Sequence, residues 1–423
     1  MDESEPLIYT EGMIPSLDRM YKPCKYRLYP FHNQRMELLR QFGELCYLWN
    51  YALGERMDAW QIEHRSVSYK EQQRSLTRWR AYCPELGCIH SQVAQNDLRR
   101  LDSAFRVFFQ HRARYPRFKH EVTSLTYPQA TNGSATIVPG RNGTQRLHLA
   151  KIGGLPIEMY HAPPSGRLKT CTVEREGDRW FAILTFEVPD PAPPPSTSPE
   201  SPVGVDLGLT TLATLSTGEK VEPPKFLRKA EKRLKIAQHN LSHKVKGSEN
   251  WHKQKVRVQR CYAKVRDSRR DFAHKLTTGW AETYDLIAFE DMDLRGLTRT
   301  RMAKSILDAG WGMLRQMSEY KQRNRSQRYA EVSTKGTTQT CSGCGRLHEP
   351  PLTLKDRTYD CPCGLHLDRD LNAARNVLNR ALAIVPGGTG ESTPVETGPP
   401  PHRKGRRVRS PKQEPPCAMG PAT

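Results

Sequence analysis

The chain has 423 residues, with 66 Lys and Arg against 45 Asp and Glu and a formal net charge of +21. That length allows roughly two to four domains with ample apolar material for their cores, and a cation excess of this size points to a polyanionic partner. No apolar run approaches the roughly 20 residues of a membrane span, which argues against a membrane protein.

Residues 1–20 read as a flexible extension. Their acidic start, MDESEPLIYTEG, lacks a basic-then-apolar signal pattern, so a cytoplasmic, nucleoid-associated protein is expected. Tyr26–Tyr29 reads as a short strand stopped by Pro30. Leu38, Leu39, Phe42, Cys46, Leu48 and Leu53 then recur at helical spacing. Helical patterning resumes over Gln92–Phe109, where Phe105, Phe108 and Phe109 are expected in a core. His111, Arg112, Arg114, Arg117 and Lys119 follow as exposed candidates for phosphate contacts. From Leu125 to Val188 the runs RLHLA, LPIEMY, TCTVER and WFAILTFEV suggest a small barrel or sandwich, with Glu176-Gly177-Asp178 as a hairpin turn. The stretch PDPAPPPSTSPESP reads as a semi-extended linker.

Beyond it, VGVDLGLTTLATLSTGEKV reads as two strands joined by a turn. Leu227, Leu234 and Leu241 stand a heptad apart on a basic helix, and a second basic helix follows, so the two are expected to form a hairpin. Leu286–Phe289 reads as a buried strand ending in acids. A basic loop and one helix are expected over 295–321, and Ala330–Val332 as a further strand. From Pro386 the chain is rich in Pro, Gly and Arg without periodicity, and disorder is expected.

Seven of the eleven cysteines (24, 46, 83, 88, 171, 261 and 417) are scattered, which suits a reducing compartment. The other four form two close pairs, Cys341 with Cys344 and Cys361 with Cys363. Paired thiolates on two tight turns are how a small loop-rich segment holds tetrahedral zinc. The second pair has one intervening residue, so His348 or His366 could replace a cysteine. The competing reading is four unrelated buried thiols.

Asp206 interrupts an apolar run, and an unpaired carboxylate on a buried strand is costly. Taken alone, it could be a strand-end aspartate bonded into the next turn. Glu290 repeats the pattern at the end of its strand, and Asp370 opens a helix. Three such acids form an arrangement that holds divalent metal, two Mg²⁺ roughly 4 Å apart, for phosphodiester hydrolysis. Asp368 is better placed to cap the helix. Glu290 is preferred to Asp291 because strand neighbours face opposite ways; Asp291 and Asp293 are read as bystanders or supporting groups.

Together, GVDLG, an acid after a hydrophobic strand, CSGCG with CPCG, and DRDLNAARN resemble the TnpB family. These are RNA-guided nucleases encoded by insertion sequences and relatives of miniature type V CRISPR effectors. YRLYPFHNQ, YPRFK, DFAHKLTT, DAGWG, TTQTCSGCG and SPKQEPP extend the resemblance over roughly residues 23–416. The CPCG knuckle departs from the family's usual C-x-x-C, and Asp291-Met292 from its Asn-Leu. The resemblance implies an α/β and α+β multidomain chain: a wedge β-barrel (21–30 and 118–189) with an inserted helical recognition lobe (31–117) and a linker (190–202). A RuvC-like, RNase H-like nuclease domain (203–335 and 365–385) would follow, interrupted by a zinc ribbon (336–364), before the tail (386–423). It also implies Asp206, Glu290 and Asp370 as the Mg²⁺-binding catalytic triad, Cys341, Cys344, Cys361 and Cys363 as zinc ligands, and a guide RNA of the omega type. The expected activity is RNA-guided cleavage of double-stranded DNA beside a short motif. A CRISPR-derived guide, a binding-only RNA-guided repressor and a strand-transfer transposase are the competing readings.

Overall fold

A computed structural model describes residues 19–385, apart from 131–132, 141–142, 298, 301 and 354–355. Residues 1–18, the tail from 386 and Cys417 therefore lie outside the described residues. Among those described, no helix is long and apolar enough to cross a membrane, and every cysteine is free.

The first body joins seven antiparallel strands to three helices. Strand β1 (Arg19–Leu28) is longer than the Tyr26–Tyr29 run because all ten of its residues pair with β7 (Arg179–Pro189). The others are β2 (Ser124–Tyr127), β3 (Ala135–Pro139), β4 (Gln145–Leu149), β5 (Gly153–Glu158) and β6 (Arg167–Glu176). All seven belong to one sheet, in the order β2-β6-β7-β1-β5-β4-β3, rather than to the two sheets of a sandwich. Glu176 pairs with Arg179, so Gly177 and Asp178 make a two-residue turn, and Gly177 takes the φ of +66° that such turns favour.

Helix α1 (His32–Glu63) and helix α3 (Ser91–Phe109) pack on this sheet, with Phe42 stacked on Trp180 at 5.7 Å between ring centroids. Between them lies α2 (Tyr69–Tyr82), which the polar run YKEQQRSLTRWRAY conceals. Its signal is the capping box Ser68-x-x-Glu71. Of the three expected core phenylalanines only Phe105 is buried; Phe109, on the helix's last turn, is 69% exposed, stacked on Phe105 and tilted against Phe108. Lys119 is also not an open phosphate contact. The buried Asp97 needs a counter-charge, so the Lys119 ammonium lies 3.6 Å from its carboxylate and over the Trp49 ring. His111, Arg112, Arg114 and Arg117 are exposed as expected.

The second body is a five-stranded sheet, ordered β10-β9-β8-β11-β12. Its strands are β8 (Pro202–Leu207), β9 (Ala213–Leu215), β10 (Lys220–Val221), β11 (Leu286–Glu290) and β12 (Arg328–Val332). β8, β11 and β12 are parallel, β9 returns antiparallel to β8, and β10 turns back antiparallel to β9. The pleat divides each strand between two faces. Val203, Val205, Leu207, Ile287 and Phe289 pack against α5 (Glu249–Thr283) and α8 (Trp311–Asn324) through Trp280, Trp311 and Leu314. Leu286, Ala288, Ala330 and Val332 face α9 (Arg369–Ile384) through Val377 and Ala381. Within α9 the fully buried apolar positions are Ala373, Ala374, Val377 and Ala381, whereas Leu371, Leu378 and Leu382 flank them half-buried.

The basic hairpin forms as the heptad implied: α4 (Phe226–Ser242) packs on α5 around Leu234, Ala237 and Val258. Over 295–321, where a basic loop and one helix are expected, the chain forms α6 (Leu294–Leu297), α7 (Ala303–Ala309) and α8, and Gly310, with a φ of +72°, separates α7 from α8. Between β12 and α9 sits a small unit with two short strands, β13 (Thr358–Asp360) and β14 (His366–Asp368).

Candidate active site

Asp206 and Glu290 are brought together by strand register. Val205 pairs with Phe289 in the parallel ladder, so the next residues stand side by side at the carboxyl ends of β8 and β11. By the pleat they share the face of Gly204 and Ala288, which is covered by α9. Gly204 permits that cover: a Cβ there would meet Leu378 N at 2.6 Å. The helix rests directly on the β8 backbone, and its first turn, with Asp370, reaches the strand ends. Open α/β sheets commonly bind ligands at that edge.

Burial first, then the nearby carboxylates of Glu290, Asp370 and Asp368, push the Asp206 carboxyl up to about 8. Arg369 opposes that rise. Burial likewise raises Glu290 above the usual carboxylate range, against a hydrogen bond from Thr337 and the positive charge of Arg380. Buried carboxyls that disfavour their own charge, crowded on one sheet edge, are suited to a hard divalent cation with oxygen ligands. Mg²⁺ fits this donor set.

The remaining acids have other partners. Asp368 accepts from the backbone N–H groups of Asp370 and Leu371, capping α9, and receives Lys220 Nζ at 2.8 Å. Asp291 is exposed and meets Arg315 at 3.3 Å, and Asp293 accepts from Gly296 N. Arg315 also reaches Met292 O and Glu331, fixing the segment that follows Glu290. Sequence patterns did not single out Lys220, Arg315, Thr337 or Arg369. Only Arg369, enclosed in DRD beside the acid, carried a local signal.

The four cysteines converge as expected. Their sulfurs lie within 4.8 Å of one another, with Cys341 to Cys363 at 3.7 Å and Cys344 to Cys361 at 3.6 Å. Sulfurs around tetrahedral zinc, at Zn–S of about 2.3 Å, are spaced about 3.8 Å apart. The donor set therefore fits zinc, and the short CPC knuckle closes it without a histidine. His348 bonds Pro350 O and His366 bonds Asp360. The backbone N–H of Arg346 and the neighbouring thiols hold Cys344 down to about 7, toward the thiolate a metal needs.

The fold is that of the multidomain α/β nucleases. A profile of a family described as "Probable transposase" (OrfB of IS605) matches residues 183–301, a "Cas12f1-like, TNB domain" profile 311–377, and the OrfB helix-turn-helix profile 20–65. A "Putative RNA-guided DNA endonuclease" of Streptomyces pristinaespiralis is 37% identical, over 94% of this chain and 97% of that protein. Escherichia coli InsQ, which carries the same description, is 29% identical over 86% and 93%. The solved "Cas12f1-sgRNA-target DNA complex" superposes with a TM-score of 0.55 at 11% identity, covering 86% of this chain and 99% of that one. The chain belongs to the TnpB family.

Proposed function

We propose that this protein is an RNA-guided DNA endonuclease encoded by an insertion sequence, cutting double-stranded DNA beside a short motif by divalent-metal-dependent hydrolysis. One observation carries the reading: Asp206, Glu290 and Asp370 share a sheet edge in a chain related along almost its whole length to proteins described as RNA-guided DNA endonucleases. On this reading the five-stranded sheet is the RuvC-like domain and 336–364 its inserted zinc ribbon. The seven-stranded sheet is the wedge barrel and α1–α3 the recognition lobe. Asp206, Glu290 and Asp370 hold Mg²⁺, which when bound would supply an activated water and stabilisation of the leaving 3′ oxygen. Cys341, Cys344, Cys361 and Cys363 hold structural zinc. Guide RNA pairs with the target strand, and the protein reads the motif and the duplex shape.

The test starts by expressing the gene with its native flanking DNA and sequencing the RNA that purifies with the protein. A single RNA running past the end of the gene, and cleavage of DNA matching its 3′ portion, are expected. Asp206→Asn, Glu290→Gln and Asp370→Asn should each retain RNA and lower cleavage at least about 10³-fold. Repeat-spacer RNA would indicate a CRISPR effector, and absence of any defined RNA would rule out the guided mechanism.

A further inference from the structure

Beside the carboxylates lies a polar construction that neither acids nor thiols explain. Helix α9 carries Asn372, Asn376 and Arg380 at i, i+4 and i+8, one stripe down one face. Every member bonds the main chain of 333–342. Arg380 donates to Ser333 O at 2.6 Å and Lys335 O at 2.9 Å. Asn376 Nδ2 donates to Thr337 O at 2.8 Å and Thr340 O at 2.6 Å. Asn372 Nδ2 donates to Thr340 O at 2.8 Å, and its Oδ1 accepts from Ser342 N at 2.9 Å. Asn372 and Asn376 are both buried, where an unmet amide would be costly. The stripe therefore fixes the segment along α9, and the segment runs directly into the Cys341 knuckle.

In the middle of that segment stands Thr337, 1% exposed. Its hydroxyl donates to Glu290 Oε1, with Thr334 O at 3.2 Å as the weaker alternative acceptor. A threonine needed only for packing would not aim its hydroxyl at the half-buried carboxylate that closes β11. We propose that Thr337 is a positioning residue. Held by the α9 stripe and anchored by the four-cysteine knuckle, it occupies one oxygen of Glu290 and turns the carboxylate so that the other faces a divalent ion. The zinc unit thereby belongs mechanically to the acid site. The proposal rests on reading Asp206, Glu290 and Asp370 as ion-binding.

Mn²⁺ titrated into the zinc-loaded full-length chain, with free ion followed by its EPR signal, tests both claims separately. Thr337→Val removes the hydroxyl at nearly constant shape and is expected to weaken Mn²⁺ binding about ten-fold. Thr337→Ser, which keeps the hydroxyl, should restore affinity to within about three-fold. Zinc content and melting temperature should match the parent in both. Asp206→Asn should abolish tight Mn²⁺ binding. Parent-like affinity in Thr337→Val, while Asp206→Asn loses the ion, would overturn the proposal and leave the site reading intact. A serine variant as weak as the valine one, or zinc loss on removing the hydroxyl, would reduce Thr337 to a packing role and overturn it too. Unchanged binding in Asp206→Asn would remove the site reading itself, and the proposal with it.

Discussion

Burial, then the neighbouring carboxylates of Glu290, Asp370 and Asp368, push the Asp206 carboxyl of the folded chain up to about 8. In the unfolded chain it ionises near the ordinary aspartate value of about 4. Between those values the folded protein binds the extra proton, so stability falls as pH rises from about 4 to 8. Melting metal-free protein across that range should show the fall, and Asp206→Asn should flatten it by about 5 °C or more at the alkaline end. Equal slopes in parent and variant would mean the carboxyl is better solvated than its burial implies. Asp206 was legible because a lone acid in an apolar run is anomalous, whereas Thr337 was not. Its partner is 47 residues away, and a threonine near a knuckle carries no local anomaly.

Strand β8 and helix α9 assemble the site through one absent side chain. Gly204 lets the Ala374–Leu378 backbone rest on the strand, and that close approach brings the first turn of α9, with Asp370, near enough to act on the Asp206 charge. In Gly204→Ala the new methyl meets backbone, which cannot swing aside as a flexible side chain would. The expected cost is about 3 kcal/mol in urea unfolding. A displacement of about 1 Å at Asp370 should also slow single-turnover cleavage about 10²-fold. Loss of stability without loss of rate would show that α9 re-seats with its acid in place. At this scale the sequence carried much of the answer. The apolar runs in VGVDL and LIAFE, each carrying an acid, give the strands, and DRDLNAARN gives a helix with its cap. It did not carry the break at Gly310, which is set by a local φ, nor α2, whose apolar positions are too few to show a stripe. What Asn372, Asn376 and Arg380 bond is decided by tertiary packing.

Across the whole molecule, the two bodies have separate apolar cores and meet through charge. At the tip of the β6–β7 hairpin, Asp178 pairs with Arg260 at 2.6 Å, Glu176 with Arg266 at 2.5 Å, and Arg179 with Asp267 at 2.9 Å. Exposed pairs of this kind contribute at most about 1 kcal/mol each, so they orient the bodies rather than weld them. The linker adds further ties: Arg328 donates to Pro195 O and Thr197 O, and Asp285 accepts from Glu200 N and Ser201 N. These pairs use few of the cations behind the net charge of +21. Lys229, Arg233 and Lys264, with the Asp178-paired Arg260, line a groove of about 520 Å³ between α4 and α5, together with Phe226, Cys261 and Val265. A cation-lined groove on the second body suits a phosphate backbone, and contacts of that type ignore base sequence. Lys229→Gln with Lys264→Gln should therefore weaken guide-RNA binding equally for matched and scrambled guide segments. The slope of log affinity against log salt should become shallower by about one unit per lost phosphate contact. An unchanged slope would assign the groove to another ligand. A loss confined to one guide sequence would mean that these lysines reach base edges rather than phosphates.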